Sequence, residues 1–369
     1  FIMAIFTFTT DGTFISSRNI GNLMNQTGYI AVLAVGMTLV IVIRHIDLSV
    51  GFLAGFSGAV AAIAMTAWNM PVYLVIPMTL VMGAAAGLLT GFLVAQLKIP
   101  SFVASLAGWL IFRGAILLVT ESTGTIIITD ATFNALGNGY IPDFPDIGFL
   151  PGVHKLTLLL GLAAIILFVI NEFRGRKKKL SYGFEVLTPD MFVLKLVFVT
   201  MLVGAITWVL AGYQGLSWTV VIVLVLVAIY DFVSTKTVLG RHIYAVGGNP
   251  EAAELSGISV KKIIYIVFGS MGMLSALSGM LFASRLQSAT TTAGQLFELD
   301  AIAAAYVGGV SAAGGVGKIV GSIIGALVMM SLSNGMNLMG VGIAPQYIVR
   351  GAVLAFAVIF DVATRNRAK

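Results

Sequence analysis

Long apolar runs, separated by short polar segments, extend along the whole chain. Several exceed the roughly twenty residues that a helix needs to cross about 30 Å of hydrocarbon. Inside lipid every backbone amide must bond within its own segment, so runs of this length predict transmembrane helices. The pattern predicts twelve spans, the first of them cut short, at residues 1–8, 27–43, 48–70, 72–97, 101–120, 153–171, 191–211, 216–233, 262–284, 299–313, 319–336 and 346–363.

Composition supports the same fold class. Hydrophobic residues make up 59% of the chain and charged residues 10%, whereas an ordinary soluble domain is about one quarter charged. The 42 glycines favour close helix packing over a barrel. We therefore predict an all-α, polytopic membrane protein, one domain over residues 1–369, with broken or re-entrant segments among its helices. Because the chain begins with Phe1 and its first apolar run is short, we expect further residues upstream.

Positive charge is distributed unequally between the two predicted sides of the membrane. Lys and Arg accumulate in cytoplasmic loops, and with both termini inside, only Arg18, Lys155 and Arg285 lie outside. Residues 121–152 then form an outer loop, which either receives an external partner or is a solvated connector. Residues 234–262 form an inner loop.

A second inner loop, 172–190, is strongly basic. Its run 174–179 could be interpreted as a nucleic-acid patch, but basic residues directly after a span are typical of membrane anchoring. We expect contact with membrane lipid and no nucleic-acid partner.

The inner loop 234–262 contains a short segment with a helix cap at each end. Asn249 can cap its start, and Gly257 can end it in a left-handed conformation. Glu251 suits the positive N-terminal dipole, and Ala252 and Ala253 leave the surface shallow. The segment therefore predicts an exposed helix of about two turns that a partner protein could grip and move.

Acidic residues near membrane depth are costly, which makes them candidates for function. Asp47 and Ser49 lie between two spans that run in opposite directions, and Asp300 follows Glu298 after the span 262–284. The two interruptions have opposite orientation, as broken helices do in inverted repeats that line a substrate path. The alternative is that Asp47 and Asp300 are interfacial helix caps.

Two amides near the outer end of the span 319–336 are weaker candidates for the pathway. Asn334 and Asn337 could donate hydrogen bonds to a polyol, or they could hold helices together.

An enzyme is a further alternative, because residues 55–58 match the G-x-S-G string of intramembrane proteases. A nucleophile at Ser57 needs a base within hydrogen-bond reach, and none of His45, His154 and His242 lies in a span at that depth. Cysteine is absent, which excludes disulfides and thiolate metal sites. We expect no catalytic residue, no metal and no cofactor.

Several motifs, taken in order, resemble the permease subunits of bacterial monosaccharide ABC importers, the ribose, galactose and xylose group. The similarity covers nearly the whole chain. Its motifs are I-D-L-S-V-G at 46–51, K-I-P-S-F at 98–102, G-R-H-I-Y-A-V-G-G-N at 240–249, E-A-A-x-x-x-G at 251–257 and E-L-D-A-I-A-A at 298–304.

The resemblance implies a homodimer in the bacterial inner membrane, bound to a cytoplasmic ATPase subunit and supplied by a periplasmic sugar-binding protein. The loop 121–152 is then periplasmic. In that family the E-A-A-x-x-x-G loop contacts the ATPase, which assigns coupling to Glu251, Ala252, Ala253 and Gly257, in agreement with the capped helix. An additional hydrophobic pair around 174–195 resembles xylose-type permeases, so a pentose, with xylose first, is the expected substrate.

Two other hypotheses are compatible with the sequence. A self-sufficient secondary transporter would move sugar with a proton carried by Asp47 or Asp300 and would need no ATPase. A scaffold or receptor would transport nothing.

Overall fold

The computed structural model describes residues 2–121, 124–145, 148 and 150–367, so part of the predicted outer loop 121–152 lies outside the described residues. The described chain is helical, with a two-stranded antiparallel ribbon of β1 (Ile126–Ile127) and β2 (Ser288–Ala289). The helices are α1 Ile2–Thr9, α2 Ser17–Val42, α3 Val50–Thr66, α4 Val72–Ala95, α5 Ser101–Thr120, α6 Ala131–Asn138, α7 Lys155–Ser181, α8 Pro189–Ala211, α9 Trp218–Lys236, α10 Val238–Gly248, α11 Pro250–Leu255, α12 Val260–Leu286, α13 Phe297–Val307, α14 Ile319–Leu338 and α15 Ile343–Arg367.

The all-α prediction is confirmed, but the count of twelve spans is not. Nine helices of the described chain are long and apolar enough to cross a membrane. The remaining three predicted spans correspond to α1, α3 and α13, which have 8, 17 and 11 residues. Apolar run length does not show where a helix begins or ends within the bilayer.

Two helices form the centre of the bundle, and three lie at its edge. In α2, 89% of the most apolar window is buried, and in α12, 72%; the corresponding share is 11% for α7 and α8 and 6% for α15. Close approach of α12 to α4 depends on glycine, because a Cβ on Gly272 would lie 2.1 Å from the carbonyl oxygen of Gly83. Glycine therefore permits the close contact between these two helices.

The ends of the bundle differ in structure. At one end β1 pairs with β2, and the Gly137 amide in α6 donates to Ser284 Oγ near the end of α12 (2.7 Å). At the other end Lys261 Nζ donates to Gln96 Oε1 across α12 and α4 (3.0 Å). This second end also carries α10 and α11, and we call it the coupling end.

The two predicted inner loops are largely helical. The basic run belongs to α7, which continues to Ser181, and only residues 182–188 separate it from α8. Lys and Arg are good helix formers, so α7 continues after its apolar sequence has ended. Residues 234–262 similarly contain the end of α9, all of α10 and α11, and the start of α12.

In the outer loop, Asp143 caps the start of α7. Its carboxylate accepts from the amides of Lys155 (2.9 Å) and Leu156 (2.8 Å). Desolvation opposes ionisation, but the amides of Leu156, Lys155 and Phe144 outweigh it and lower the pKa of Asp143 to about 2.

We therefore expect this cap to weaken under acid. Because the pKa of Asp143 is lower in the folded state, its carboxylate stabilises the fold at pH values above the ordinary aspartate pKa of about 4. That contribution is lost as the pH falls towards 2. Hydrogen exchange of the Lys155 and Leu156 amides should show protection, relative to intrinsic rates, falling across that window. Asp143→Asn should reduce protection already at neutral pH and remove the pH dependence; an unchanged acid response in that variant would contradict the assignment.

Candidate functional site: a coupling helix and two broken helices

Helix α11 has the predicted caps. Asn249 Oδ1 accepts from the Ala252 amide (3.0 Å), and Pro250 is the first helical residue. Gly257 has φ +83°, the left-handed conformation expected after the helix. The helix covers six residues, fewer than the two turns predicted. The sequence pattern therefore identified the local structure correctly and overestimated its length.

The exposed surface of α11 includes one large apolar side chain. Leu255 is 91% exposed, whereas Ala253 is buried against the bundle. Glu251 and Ala252 are also exposed. An apolar side chain this exposed on a short helix is suited to insertion into a partner's pocket. The sequence does not identify Leu255 as a contact residue, because in a largely apolar chain it does not show which leucines are exposed.

Helix α10 connects α11 to the coupling end of α2 through Arg44. Arg44 Nε donates to the carbonyl oxygen of Gly247 (2.6 Å), and its Nη2 donates to that of Gly248. Arg44 has φ +64°, which is uncommon for a residue with a side chain and is maintained here by these contacts. Arg44 therefore joins the end of α2 to the helix that precedes α11.

The loop between α13 and α14 is part of the same junction. The Gly315 amide donates to the carbonyl oxygen of Val42 (2.8 Å), and Tyr244 Oη in α10 donates to that of Gly317 (2.7 Å). Gly314 has φ +78°, and a Cβ there would lie 2.3 Å from Arg44 Cγ. We call Arg44, Tyr244 and the turn 314–317, with the carbonyls they contact, the coupling junction. Through it α10 contacts the segment before α3 and the segment after α13.

Asp47 and Ser49 lie buried between α2 and α3 and contact each other. Asp47 Oδ1 accepts from the Ser49 amide (2.9 Å) and from Ser49 Oγ (2.6 Å). The Ile46 amide donates to Ser101 Oγ in α5 (3.3 Å). Asp47 thus organises the turn into α3, a role close to the helix-cap alternative.

Asp300, in the first turn of α13, forms an ion pair with Arg350 of α15. Arg350 Nη1 lies 3.2 Å from Asp300 Oδ1, and Arg350 Nε donates to Ser333 Oγ in α14 (2.9 Å). Asp300 and Arg350 line one wall of a cavity of about 400 Å³ between α13, α14 and α15. An arginine within a span signals function or a buried partner, but sequence alone did not pair it with Asp300.

The broken helices α3 and α13 meet at their starts. A Cβ on Gly51 would lie 2.0 Å from Glu298 Oε2 and 2.6 Å from the carbonyl oxygen of Gly294, so only glycine fits there. Glu298 Oε1 accepts from Trp109 Nε1 in α5 (2.9 Å), while Oε2 has no hydrogen-bond partner among the described residues. The contact places the two interrupted segments beside each other. Their descent from an inverted repeat remains a prediction.

The two amide candidates contact neighbouring side chains. Asn334 and Asn19 of α2 exchange two hydrogen bonds of 2.9 and 3.1 Å. Gln346 Nε2 donates to Asn337 Oδ1 (2.7 Å). Both amides therefore tie α14 to its neighbours in this conformation.

The surroundings of Ser57 do not support the hydrolase alternative. Its side chain is fully buried, and its Oγ has no hydrogen-bond partner among the described residues. His154 Nε2 contacts the carbonyl oxygen of Ile141 (2.9 Å) in the outer loop, and His45 packs at 5.9 Å from the Phe268 ring. Neither imidazole can act as a base for this hydroxyl.

Long apolar helices around two broken segments, with a helix at the coupling end joined to both, are typical of a multi-pass membrane permease. The family model for the permease component of branched-chain amino acid transport systems matches residues 19–358, and the chain belongs to this family.

Curated relatives are similar over almost the full chain. The xylose transport system permease protein XylH of Escherichia coli (strain K12) is 42% identical over 99% of this chain and 90% of its own length. XylH of Haemophilus influenzae is 41% identical over 99% of this chain and 94% of its own. The ribose import permease protein RbsC of Haemophilus influenzae is 35% identical over 94% and 86%.

No solved structure shows a significant match. The apolar helices and the permease relatives together identify a multi-pass protein of the inner membrane. The predicted family resemblance is confirmed.

Proposed function

We propose that this chain is the membrane subunit of an ATP-driven importer that moves a monosaccharide to the cytoplasm by alternating access. The observation that carries this proposal is the coupling junction, because it connects an exposed helix to both broken segments. A separate ATPase subunit would hold α11 through Leu255, Glu251 and Ala252, with Asn249, Ala253 and Gly257 maintaining its shape. Movement of α10 would then reach α2 through Arg44 and α13 through the turn 314–317.

The substrate we propose is a pentose, xylose before ribose. Support comes from the relatives, since two xylose permeases are 41–42% identical to this chain and a ribose permease is 35% identical. A neutral sugar requires hydrogen-bonding groups along its path. We propose Asp47, Ser49 and Asp300 for the pathway or its gate, with Asn334 and Asn337 as weaker contributors that would have to exchange their present partners.

The proposed assembly contains two copies of this chain, the ATPase and a periplasmic sugar-binding protein. The coupling end faces the cytoplasm, as do both termini. Support for this orientation comes from the basic residues of α7 and of the start of α12, which belong to the same end as α10 and α11.

Reconstitution tests the proposal. Proteoliposomes containing the permease, its ATPase and the binding protein should accumulate labelled xylose only when ATP is present. Leu255→Asp should weaken ATPase binding about tenfold or more, because it places a charge at the centre of an apolar contact, and should reduce uptake accordingly. Binding is measured with purified ATPase on immobilised permease.

Leu180→Asp is the matched control. Leu180 is 55% exposed near the end of α7 and does not belong to α10 or α11. Equal loss in both variants would contradict the assignment of α11. Uptake driven by a proton gradient without the ATPase would instead support the secondary-transporter alternative.

A further inference from the structure

Helices α7 and α8 form a hairpin at the edge of the bundle, with most of its surface exposed. Away from the coupling end the helices are in close contact, because a Cβ on Gly161, near the start of α7, would lie 2.2 Å from Thr207 Cγ2, near the end of α8. Near the coupling end the helices remain in contact through Phe173 and Phe192, whose ring centroids are 5.3 Å apart. A Cβ on Gly175 would meet no atom within 4 Å, and this glycine lies on the wall of a cavity of about 530 Å³.

Three basic side chains (Arg176, Lys179 and Lys195) and two acidic ones (Glu172 and Glu185) line the cavity, which leaves one net positive charge. Glu172 forms an ion pair with Lys195, in which Lys195 Nζ lies 2.7 Å from Glu172 Oε1. Arg176 lies with its guanidinium carbon 4.7 Å from the centre of the Phe192 ring, and its Nη1 donates to the carbonyl oxygen of Leu187 (2.7 Å).

These contacts fix the Arg176 guanidinium and leave further N–H groups available, since a guanidinium has five. Lys179 lies one turn further along α7 and also lines the cavity; its carbonyl oxygen accepts from the amides of Tyr182 and Phe184, whereas its ammonium forms no ion pair with a described acidic residue. Glu185 is the other acid on the wall. The cavity therefore combines a fixed guanidinium with a mobile ammonium, the pair of donors that suits a phosphate group.

Exposed apolar side chains are close in sequence to residues that line the cavity. Tyr182 and Phe184 in the connecting turn are 67% and 65% exposed, and Leu194 in α8 is 62% exposed. Aromatic side chains of this kind occur at the boundary between headgroups and acyl chains. A ligand here would place an anionic group in the cavity and an apolar part along the hairpin.

We infer that the cavity between α7 and α8 is a binding site for the headgroup of an anionic glycerophospholipid such as phosphatidylglycerol. Arg176 and Lys179 bind the phosphate, and the acyl chains lie along the exposed apolar surface of the hairpin. Basic pockets between membrane helices on the inner side commonly bind such headgroups. The site is separate from the proposed pathway and does not depend on the transported substrate.

Native mass spectrometry of the intact permease, released from bilayers of phosphatidylglycerol and phosphatidylcholine, tests the site. The wild type should retain phosphatidylglycerol in preference to phosphatidylcholine. Arg176→Gln with Lys179→Gln should weaken retention roughly thirtyfold, as expected for two basic residues near an anionic lipid. Gly175→Phe should also abolish retention, because it fills the cavity without changing any charge.

Lys177→Gln with Lys178→Gln is the matched control, since it removes two charges from the same turn that do not line the cavity. This variant should retain the lipid nearly as well as the wild type. Equal loss in both double variants, or retention in Gly175→Phe, would overturn the site in favour of general attraction to charge. If millimolar inorganic phosphate displaces the lipid, the cavity binds a soluble anion instead. If the Arg176→Gln, Lys179→Gln variant selectively loses ATPase binding, the cavity binds a protein partner instead.

Discussion

Arg44→Ala should uncouple ATP hydrolysis from sugar uptake, lowering ATP-driven transport about tenfold or more while the ATPase still binds. Arg44 makes the two side-chain bonds that connect α2 to the carbonyls of Gly247 and Gly248. A hydrogen bond from a charged donor contributes about 1.5–3 kcal/mol, which corresponds to tenfold or more in the coupling it supports. The measurement is uptake of labelled sugar per ATP hydrolysed in proteoliposomes.

Two further variants separate coupling from folding. Arg44→Gly removes the guanidinium at a residue with φ +64° without the strain that alanine would retain there, so it should show the same uncoupling in a stable protein. Arg241→Ala removes an exposed arginine of α10 that has no ion pair or side-chain hydrogen bond among the described residues. Uptake per ATP should be unchanged in Arg241→Ala. If uptake per ATP fell as much in this variant as in Arg44→Ala, the coupling role of Arg44 would be refuted.

Arg350→Met should destabilise the protein strongly. It leaves the Asp300 carboxylate, whose side chain is 13% exposed, without its cation, and removing one member of a buried ion pair costs about 3–5 kcal/mol. The apparent melting temperature of the purified permease, followed by intrinsic fluorescence, should fall by several degrees. Ser333 also loses a donor, but its hydroxyl can still bond within α14 through the Met329 carbonyl oxygen.

The double variant Asp300→Asn with Arg350→Met distinguishes pairing from transport. Replacing both charges should recover most of the lost stability, because no uncompensated charge remains. If Asp300 acts in the sugar pathway, uptake stays low in this stable double variant. Full uptake would show that the pair only supports the fold and would remove Asp300 from the pathway proposal.

Local features were predictable from the sequence wherever one segment determines them. The caps of α11 depend on Asn249 and Gly257, and both have the predicted roles. The apolar runs identified the nine long helices for the same reason. The order of the family motifs identified the permease family without any structure.

Long-range partners were not predictable in this way. Arg44 and Gly247 are separated by 203 residues, and Glu298 and Trp109 by 189. Nothing in the periodicity of either segment specifies the other. The count of twelve spans is not confirmed for a related reason, since a helix that begins part-way through the bilayer has the same composition as one that crosses it.

The sequence by itself determined the membrane class, the all-α fold, the permease family and the capped helix α11, because hydrophobicity and helix capping act over a few neighbouring residues. Only the tertiary structure shows that α3 and α13 meet at Gly51, that Asp300 pairs with Arg350 and that the coupling junction joins α10 to both broken helices. These contacts depend on glycines that allow close backbone approach and on charges that must find partners in a low-dielectric interior. Both requirements are satisfied only when distant segments pack together.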